Sequence, residues 1–287
     1  MAHKSLNLVY AIKDGAGVSI ANVESGLKCG CICPACGESL VAKKGNKVTH
    51  HFAHYSGSTC EYGYETSLHL MAKEILSTAK TIVTPKVYVS FPGSSKEKQL
   101  CCDARQIQID KVEVEHPFHD VVPDVVVYSG KRKFFLEVYV THPVDEEKRL
   151  KLKRADVSTL EIDLSKIDRI VSYQDLQQIL LHDCEQKKWI YNAIADNKLR
   201  KYYIFSERIQ LITRGFAIHA EHCPIRSRVW HGKAYANFLD DCVYCPYLIA
   251  HYSQDESNDE ILCSGKYRIA TLQDLAQTEK KLHPAGK

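Results

Sequence analysis

Two acidic residues, Asp124 and Glu137, lie inside otherwise apolar segments. The segments read VVPDVVVY and FFLEVYV. Moving a carboxylate out of water costs several kcal/mol unless something compensates it, and two carboxylates that share a site repel each other. Because Asp and Glu oxygens are ligands that Mg²⁺ and Mn²⁺ prefer, a divalent cation is the simplest compensation. The pair therefore predicts a metal site.

A β-hairpin is the element that would bring these two acids together. Both segments are rich in β-branched and aromatic residues, and the polar stretch SGKRK between them is typical of a turn. If the chain folds back between Gly130 and Lys131, Asp124 lies level with Glu137, and their Cβ atoms are about 5 Å apart. The two carboxylates then share one face of the hairpin.

The N-terminal cysteines and histidines have the spacing of a zinc-ribbon-like site. Cys33 and Cys36 form a CxxC pair, and the stretch HHFAH with one later cysteine follows it. Zn²⁺ in structural sites takes four thiolate or imidazole ligands in tetrahedral geometry. We expect three ligands to be Cys33, Cys36 and His54, with His51 or Cys60 as the fourth. The competing interpretation is a buried strand whose histidines only form hydrogen bonds.

The C-terminal third of the chain contains a second cysteine group. A CxxC pair, Cys242 and Cys245, lies between the single cysteines Cys223 and Cys263. This pattern predicts a four-cysteine structural zinc site, so that the chain would hold about two Zn²⁺ ions in all. The alternative is a set of unconnected buried thiols. Aromatic and cationic residues between these cysteines suit a nucleic-acid surface, although ordinary surfaces carry the same mixture.

Composition excludes several classes of protein. The 287 residues carry a formal net charge of +3, with 45% hydrophobic and 25% charged residues, which is ordinary for a globular protein. No apolar run approaches the roughly 20 residues of a membrane span, and the N-terminus lacks the apolar segment of a signal peptide. We therefore expect a cytoplasmic protein without membrane contact, in which paired cysteines are metal ligands rather than disulfides.

The order of PD, a hairpin turn and a second acid resembles the core of the PD-(D/E)XK nuclease superfamily. The phrase EVYVTHPVDEEK, with HFAH upstream and LEID downstream, resembles the competence protein CoiA-like family in particular. In that superfamily a lysine usually stands two residues after the Glu, where this chain has Tyr139. The resemblance implies that Lys148, on the next helix, replaces this lysine; the alternative is that Lys148 belongs to a solvated basic face that holds phosphate. It also implies that Glu65, on the preceding helix, adds a carboxylate to the site; the alternative is a solvated acid that the helix dipole favours in the first turn.

These observations lead to one preferred function and one alternative. We expect a metal-dependent DNA nuclease that acts in DNA uptake, recombination or defence against foreign DNA. Asp124 and Glu137 would hold Mg²⁺ or Mn²⁺, and Lys148 and Glu65 would assist. The alternative is a catalytically inactive, nuclease-like core that binds nucleic acid or a protein partner through its zinc modules. A homodimer is compatible with either function.

The predicted fold is mixed α/β, with a restriction-endonuclease-like core between two zinc-binding modules. A helix, three strands, a second helix and a further strand form this core in chain order. Apolar residues at helical spacing between positions 174 and 201 predict one long helix after it. The expected divisions are residues 1–62 for an N-terminal hairpin and zinc-ribbon-like module, 63–170 for the core, 171–205 for a helical linker and 206–287 for the four-cysteine module.

Overall fold

The chain is divided into two compact units, which each contain one large sheet. The computed structural model describes residues 8–47, 49–58, 60, 62–92, 94–167, 171–253 and 259–282. The first unit comprises residues 1–85 and 104–192, and the second comprises residues 86–103 and 193–287. Across the described ranges, no helix is long and apolar enough to cross a membrane.

Five α-helices occur within these ranges. The cap of the second helix is the one that matters most for the site, because the Asp145 side chain accepts a hydrogen bond of 2.7 Å from the Lys148 amide and fixes where the helix begins. The helices are α1 (Gly63–Thr78), α2 (Glu146–Arg154), α3 (Tyr173–Leu181), α4 (Ala193–Ile204) and α5 (Leu272–Leu282).

The strands are mostly short, and the longest of them carry the two large sheets. In chain order they are β1 (Tyr10–Lys13), β2 (Ala16–Ser19), β3 (Leu40–Lys43), β4 (His51–His54), β5 (Thr81–Thr84), β6 (Val87–Val89), β7 (Gln99–Cys102), β8 (Arg105–Gln108), β9 (Lys111–Val114), β10 (Val125–Ser129), β11 (Arg132–Tyr139), β12 (Thr159–Asp163), β13 (Lys187–Tyr191), β14 (Glu207–Arg214), β15 (Ala217–Glu221), β16 (Arg228–Trp230), β17 (Lys233–Asn237), β18 (Leu248–Ser253) and β19 (Asp259–Cys263).

The main sheet of the first unit has the strand order β13-β12-β11-β10-β9. Strands β9, β10 and β11 form an antiparallel meander, and β11 pairs in parallel with β12 after the crossover through α2. The predicted hairpin is confirmed, because Val125 pairs with Leu136 and the register closes around Gly130, whose φ is +55°. Continued by one residue, this register sets Asp124 level with Glu137.

Helices cover both faces of this sheet. Successive side chains along a strand point to opposite faces, and apolar side chains on both faces must be buried. On one face Leu136 packs in a cluster with Leu68 of α1 and Leu176 of α3. On the other face Phe135 packs with Leu152 of α2. The predicted mixed α/β character is therefore present. Between α1 and α2 the described chain has seven strands, β5 to β11, rather than the predicted three, and only β9, β10 and β11 of these belong to the main sheet.

The predicted long helix between residues 174 and 201 is wrong. The structure has α3, then β13, then α4 in this range. Strand β13 joins the sheet edge antiparallel to β12, and its Trp189 donates a hydrogen bond of 3.2 Å to the Pro85 carbonyl. The aromatic and β-branched residues of this segment satisfy strand pairing, which outweighs the helical spacing of the apolar positions.

The second unit is built on a six-stranded sheet with the order β16-β17-β15-β14-β19-β18. Its core includes Val89 and Phe91, which belong to the hairpin segment between β5 and β8 and pack in one cluster with Tyr202 and Leu262. This segment interrupts the predicted 63–170 core. The observed units are therefore not the four consecutive divisions that the sequence suggested, because a segment distant in the chain completes the second core.

Candidate active site and zinc site

Asp124 immediately precedes β10, and its carboxylate is surrounded by hydrogen-bond donors. Its Oδ2 accepts a hydrogen bond of 2.9 Å from the Val138 amide and lies 3.0 Å from Nε2 of His69. Its Oδ1 lies 3.1 Å from Nζ of Lys73. Burial alone would raise the pKa of Asp124, but the hydrogen bond from His69 and the nearby positive charges outweigh it and hold the pKa below its usual range. Asp124 is therefore ionised at neutral pH.

Glu137, on β11, is the least compensated group of the site. Its side chain is 3% exposed, and its Oε2 accepts a hydrogen bond of 2.6 Å from Nζ of Lys148. Its Oε1 is buried and has no hydrogen-bond partner within the part of the chain that the structure describes. Burial, and then the charge of Asp124, raise the pKa of Glu137 to about 7. An unused buried oxygen next to a second carboxylate is a suitable ligand for a cation.

The two lysines reach the carboxylates from helices on opposite faces of the sheet. Lys148 lies in the first turn of α2, and Lys73, which is 7% exposed, lies on α1. Lys73 also donates a hydrogen bond of 2.7 Å to Glu115. Burial lowers the pKa of Lys73, but Glu115 and Asp124 raise it above the usual value, so that the ammonium stays charged. With every group ionised, two lysines face the three carboxylates of Asp124, Glu115 and Glu137.

Glu161 stabilises the segment that leads to Lys148. Its side chain is buried, with 6% of the residue exposed, and its backbone lies next to that of Glu137 in the parallel register of β11 and β12. Its Oε2 accepts a hydrogen bond of 3.1 Å from the Val144 amide, which lies between β11 and α2. Glu161 therefore has a positioning role, consistent with the start of α2 being fixed near the carboxylates.

The structure does not bring Glu65 into contact with the two metal-binding candidates. Glu65 lies half-buried in the first turn of α1, one turn before His69, and within the described ranges no hydrogen bond or ion pair joins it to Asp124 or Glu137. Tyr139 pairs with Asp163 on β12 and donates a hydrogen bond to its carboxylate. The predicted catalytic set therefore comes together as Asp124, Glu137 and Lys148, and His69 and Lys73 join it from α1.

A second group of potential ligands lies near the N-terminus. The ligand atoms of Cys33, Cys36, His54 and Cys60 all lie within 4.8 Å of one another, and Cys36 Sγ is 3.3 Å from His54 Nε2. Cys33 and Cys36 precede β3, and His54 ends β4. Three thiols and one imidazole are the donor set of many structural zinc sites. This Cys₃His group could therefore hold Zn²⁺.

His51 does not belong to this group. It is three residues before His54 on β4, and residues separated by an odd number along a strand face opposite sides. Its Nδ1 lies 2.8 Å from the Thr49 carbonyl oxygen instead. Of the two candidates for the fourth ligand, the structure places Cys60 in the group and leaves His51 outside it.

Cys223, Cys242, Cys245 and Cys263 line one cavity of about 310 Å³ in the second unit. Burial raises the pKa of Cys242 to about 12, and the other three thiols add to this effect. Within the described ranges, the ligand atoms of the N-terminal group lie within 4.8 Å of one another, and the four sulfurs of the second unit are less tightly clustered. A second zinc ion at this position stays a prediction.

We expect purified protein to contain about two Zn²⁺ ions per chain by elemental analysis. Cys60→Ser should lower this content by about one, because three donors remain at the N-terminal group. His51→Ala is the matched control, since it removes a neighbouring imidazole that faces away, and it should leave the content unchanged. Loss of zinc in His51→Ala with full retention in Cys60→Ser would reverse the assignment of the fourth ligand.

Comparison with known proteins identifies a family for a segment near the N-terminus. Residues 21–63 match the family model of the Competence protein CoiA, N-terminal domain, and this range contains all four residues of the Cys₃His group. No curated protein and no solved structure matches the chain significantly. The match supports a CoiA-like family and covers only this N-terminal segment of the chain.

Proposed function

We propose that this protein is a metal-dependent nuclease that cleaves DNA in a competence-related process. The observation that carries the proposal is the pair of Asp124 and Glu137, which lie level across the β10–β11 hairpin. Oε1 of Glu137 is buried and has no hydrogen-bond partner among the described residues. Lys148 lies 2.6 Å from the other oxygen of Glu137. Two carboxylates that can hold a divalent ion, with a lysine beside them, are groups that can promote phosphodiester hydrolysis.

The donor set fits Mg²⁺ or Mn²⁺. Both cations prefer carboxylate oxygens, and Asp124 and Glu137 would hold the ion. When bound, such an ion lowers the pKa of coordinated water and polarises a phosphate oxygen. Lys148 would keep a positive charge beside Glu137, where negative charge develops on the phosphate. His69 and Lys73 keep Asp124 ionised and fixed in position.

The order of elements adds support to the proposal. Apart from strands β5 to β8, which lie between α1 and β9, the helix α1, the meander of β9, β10 and β11, the crossover helix α2 and the parallel strand β12 occur in the order expected of a PD-(D/E)XK core. The two carboxylates lie on the central hairpin of this arrangement, and the lysine lies on the crossover helix. Fold alone does not establish activity, so the proposal depends on the geometry of the side chains.

The test is cleavage of single-stranded and double-stranded DNA by wild-type protein and by Glu137→Gln, with and without Mg²⁺ or Mn²⁺. We expect cleavage by the wild type only when the divalent ion is present, and loss of cleavage in Glu137→Gln, because the amide is a poor substitute for a metal-binding carboxylate. Glu147→Gln is the matched control, since Glu147 is an exposed acid on α2 that pairs with Lys151. Equal cleavage by Glu137→Gln and wild type would exclude the proposed site.

One observation favours a second candidate function. Tyr139 occupies the usual lysine position and is bonded to Asp163, so the site depends on a lysine from elsewhere in the chain. In a catalytically inactive binding protein, the contact between Lys148 and Glu137 would serve only to neutralise buried charge. Such a protein should bind DNA without cleaving it under any divalent ion, so the same experiment separates the two functions.

A further inference from the structure

One face of the second unit's sheet carries a concentration of aromatic and cationic side chains. Strand β17 pairs with β15 on one side and with β16 on the other, so that Tyr235 lies opposite Glu221 and Lys233 lies opposite Trp230. Alternation turns Ala236 to the opposite face, where it is buried with the cysteine-containing core. The aromatic and cationic face is therefore the solvent side of these three strands.

Aromatic rings on this face are available for contact. Trp230 is 65% exposed, and its ring lies 4.7 Å from that of His231. The rings of His219 and Tyr235 are stacked at 5.1 Å. These four side chains line one open cavity with a volume of about 720 Å³. An exposed indole beside further flat rings offers a platform on which another planar group can stack.

The charges of the same surface favour an anion. Lys233 is exposed and forms no hydrogen bond or ion pair within the part of the chain that the structure describes. The acid that lines the surface, Glu221, is already paired with Arg214. Arg228, by contrast, is held by Asp241 at 2.7 Å and is not available. Lys233 therefore offers a positive charge next to exposed rings.

We infer that this surface, formed by His219, Trp230, His231, Lys233 and Tyr235, binds single-stranded nucleic acid. Bases stack on the exposed Trp230 ring, and Lys233 contacts a phosphate. Stacking requires free base faces, which a duplex hides within its own stack. The inference goes beyond the proposed nuclease activity, because no residue of the carboxylate site takes part and binding requires no divalent ion.

The experiment measures binding of an oligothymidylate of about 20 nucleotides, long enough to cover one such site. The protein carries Glu137→Gln, and no divalent ion is added, so that the result is independent of cleavage. The chain has two tryptophans, and Trp189 lies in the first unit. In a Trp189→Phe version, quenching of the fluorescence by the oligonucleotide reports on Trp230 alone, and we expect strong quenching.

Two substitutions and one control complete the test. Because Trp230→Ala removes the fluorophore, Kd values are compared by the anisotropy of an end-labelled oligothymidylate. Trp230→Ala should raise the Kd about tenfold or more, since stacking of a base on an aromatic ring is strongly favourable. Lys233→Ala should weaken binding and lower the slope of log K against log salt by about 0.7, as expected when one phosphate contact is lost. Phe216→Ala removes a fully exposed ring from the turn between β14 and β15, outside the surface, and should leave the Kd unchanged.

Three results would overturn the inference. They are an absence of quenching, an equal Kd for Trp230→Ala and Phe216→Ala, and tighter binding to duplex DNA that is insensitive to Trp230→Ala. Binding that depends on Trp230 in a protein that never cleaves DNA would instead contradict the proposed nuclease function and leave this inference intact. The two proposals therefore fail separately.

Discussion

Lys148→Ala is expected to lower the turnover number for DNA cleavage about a hundredfold, with the affinity for DNA nearly unchanged. The reason is the position of the ammonium group, whose Nζ lies 2.6 Å from Oε2 of Glu137. The Lys148 side chain is only 31% exposed. A positive charge fixed at that place stabilises negative charge that develops in the transition state more than it stabilises the ground state. The measurement is the steady-state rate of cleavage at saturating DNA with Mg²⁺.

Lys151→Ala is the matched control for this prediction. Lys151 lies on the same helix, pairs with Glu147 at 2.7 Å and does not contact the carboxylate pair. Removing a surface charge of this kind should weaken DNA binding and its salt dependence slightly, with no change in turnover. If Lys148→Ala behaves as Lys151→Ala does, Lys148 is a phosphate contact rather than a catalytic residue, and Lys73 becomes the next candidate for the catalytic cation.

The contact between Lys148 and Glu137 could be predicted because each of its parts is local in sequence. The turn at Gly130 sets the hairpin register, and alternation then sets the face of Glu137. Asp145 has the character of an N-cap, so the helix start and the position of Lys148 in the first turn also follow from the sequence. The stem of a lysine is long enough to close the remaining gap.

The contacts of Asp124 could not be predicted in the same way. His69 and Lys73 share a stripe of α1 at a spacing of four residues, but only tertiary packing decides that this stripe faces Asp124. Glu115 is an exposed acid directly after β9, and its contact with Lys73 spans 42 residues of sequence. Glu65 lies on the same stripe of α1, four residues before His69, yet no hydrogen bond or ion pair joins its side chain to the carboxylate pair within the described ranges.

The fourth ligand of the N-terminal group could have been chosen from the sequence. If HFAH is a strand, His51 and His54 are three residues apart and face opposite sides, so that both cannot bind one ion from the strand. That argument alone favours Cys60.

The division into two units could not be predicted from local sequence. Nothing within residues 86–103 indicates that Val89 and Phe91 pack with Tyr202, more than 100 residues later.

Glu137→Gln is expected to stabilise the metal-free protein by about 3 kcal/mol above about pH 7 and to have little effect near pH 4. Burial and Asp124 raise the pKa of Glu137 from 4.5 to about 7. The folded state therefore binds more protons than the unfolded state between these two values. Because the unfolded carboxyl releases its proton first, stability falls as the pH rises through this window, and glutamine removes that loss.

The measurement is the free energy of unfolding in urea between about pH 4 and pH 8, without divalent ions, for wild type, Glu137→Gln and the control Glu147→Gln. Glu147 is exposed, so its replacement should change stability by less than about 0.5 kcal/mol at every pH.

Adding Mg²⁺ should stabilise the wild type above pH 7 and not Glu137→Gln, because only the carboxylate pair binds the ion in the folded state. A difference between Glu137→Gln and wild type that stays constant with pH would show that Glu137 is not held at a raised pKa. The carboxylate pair would then lack the electrostatic strain that makes it a metal site.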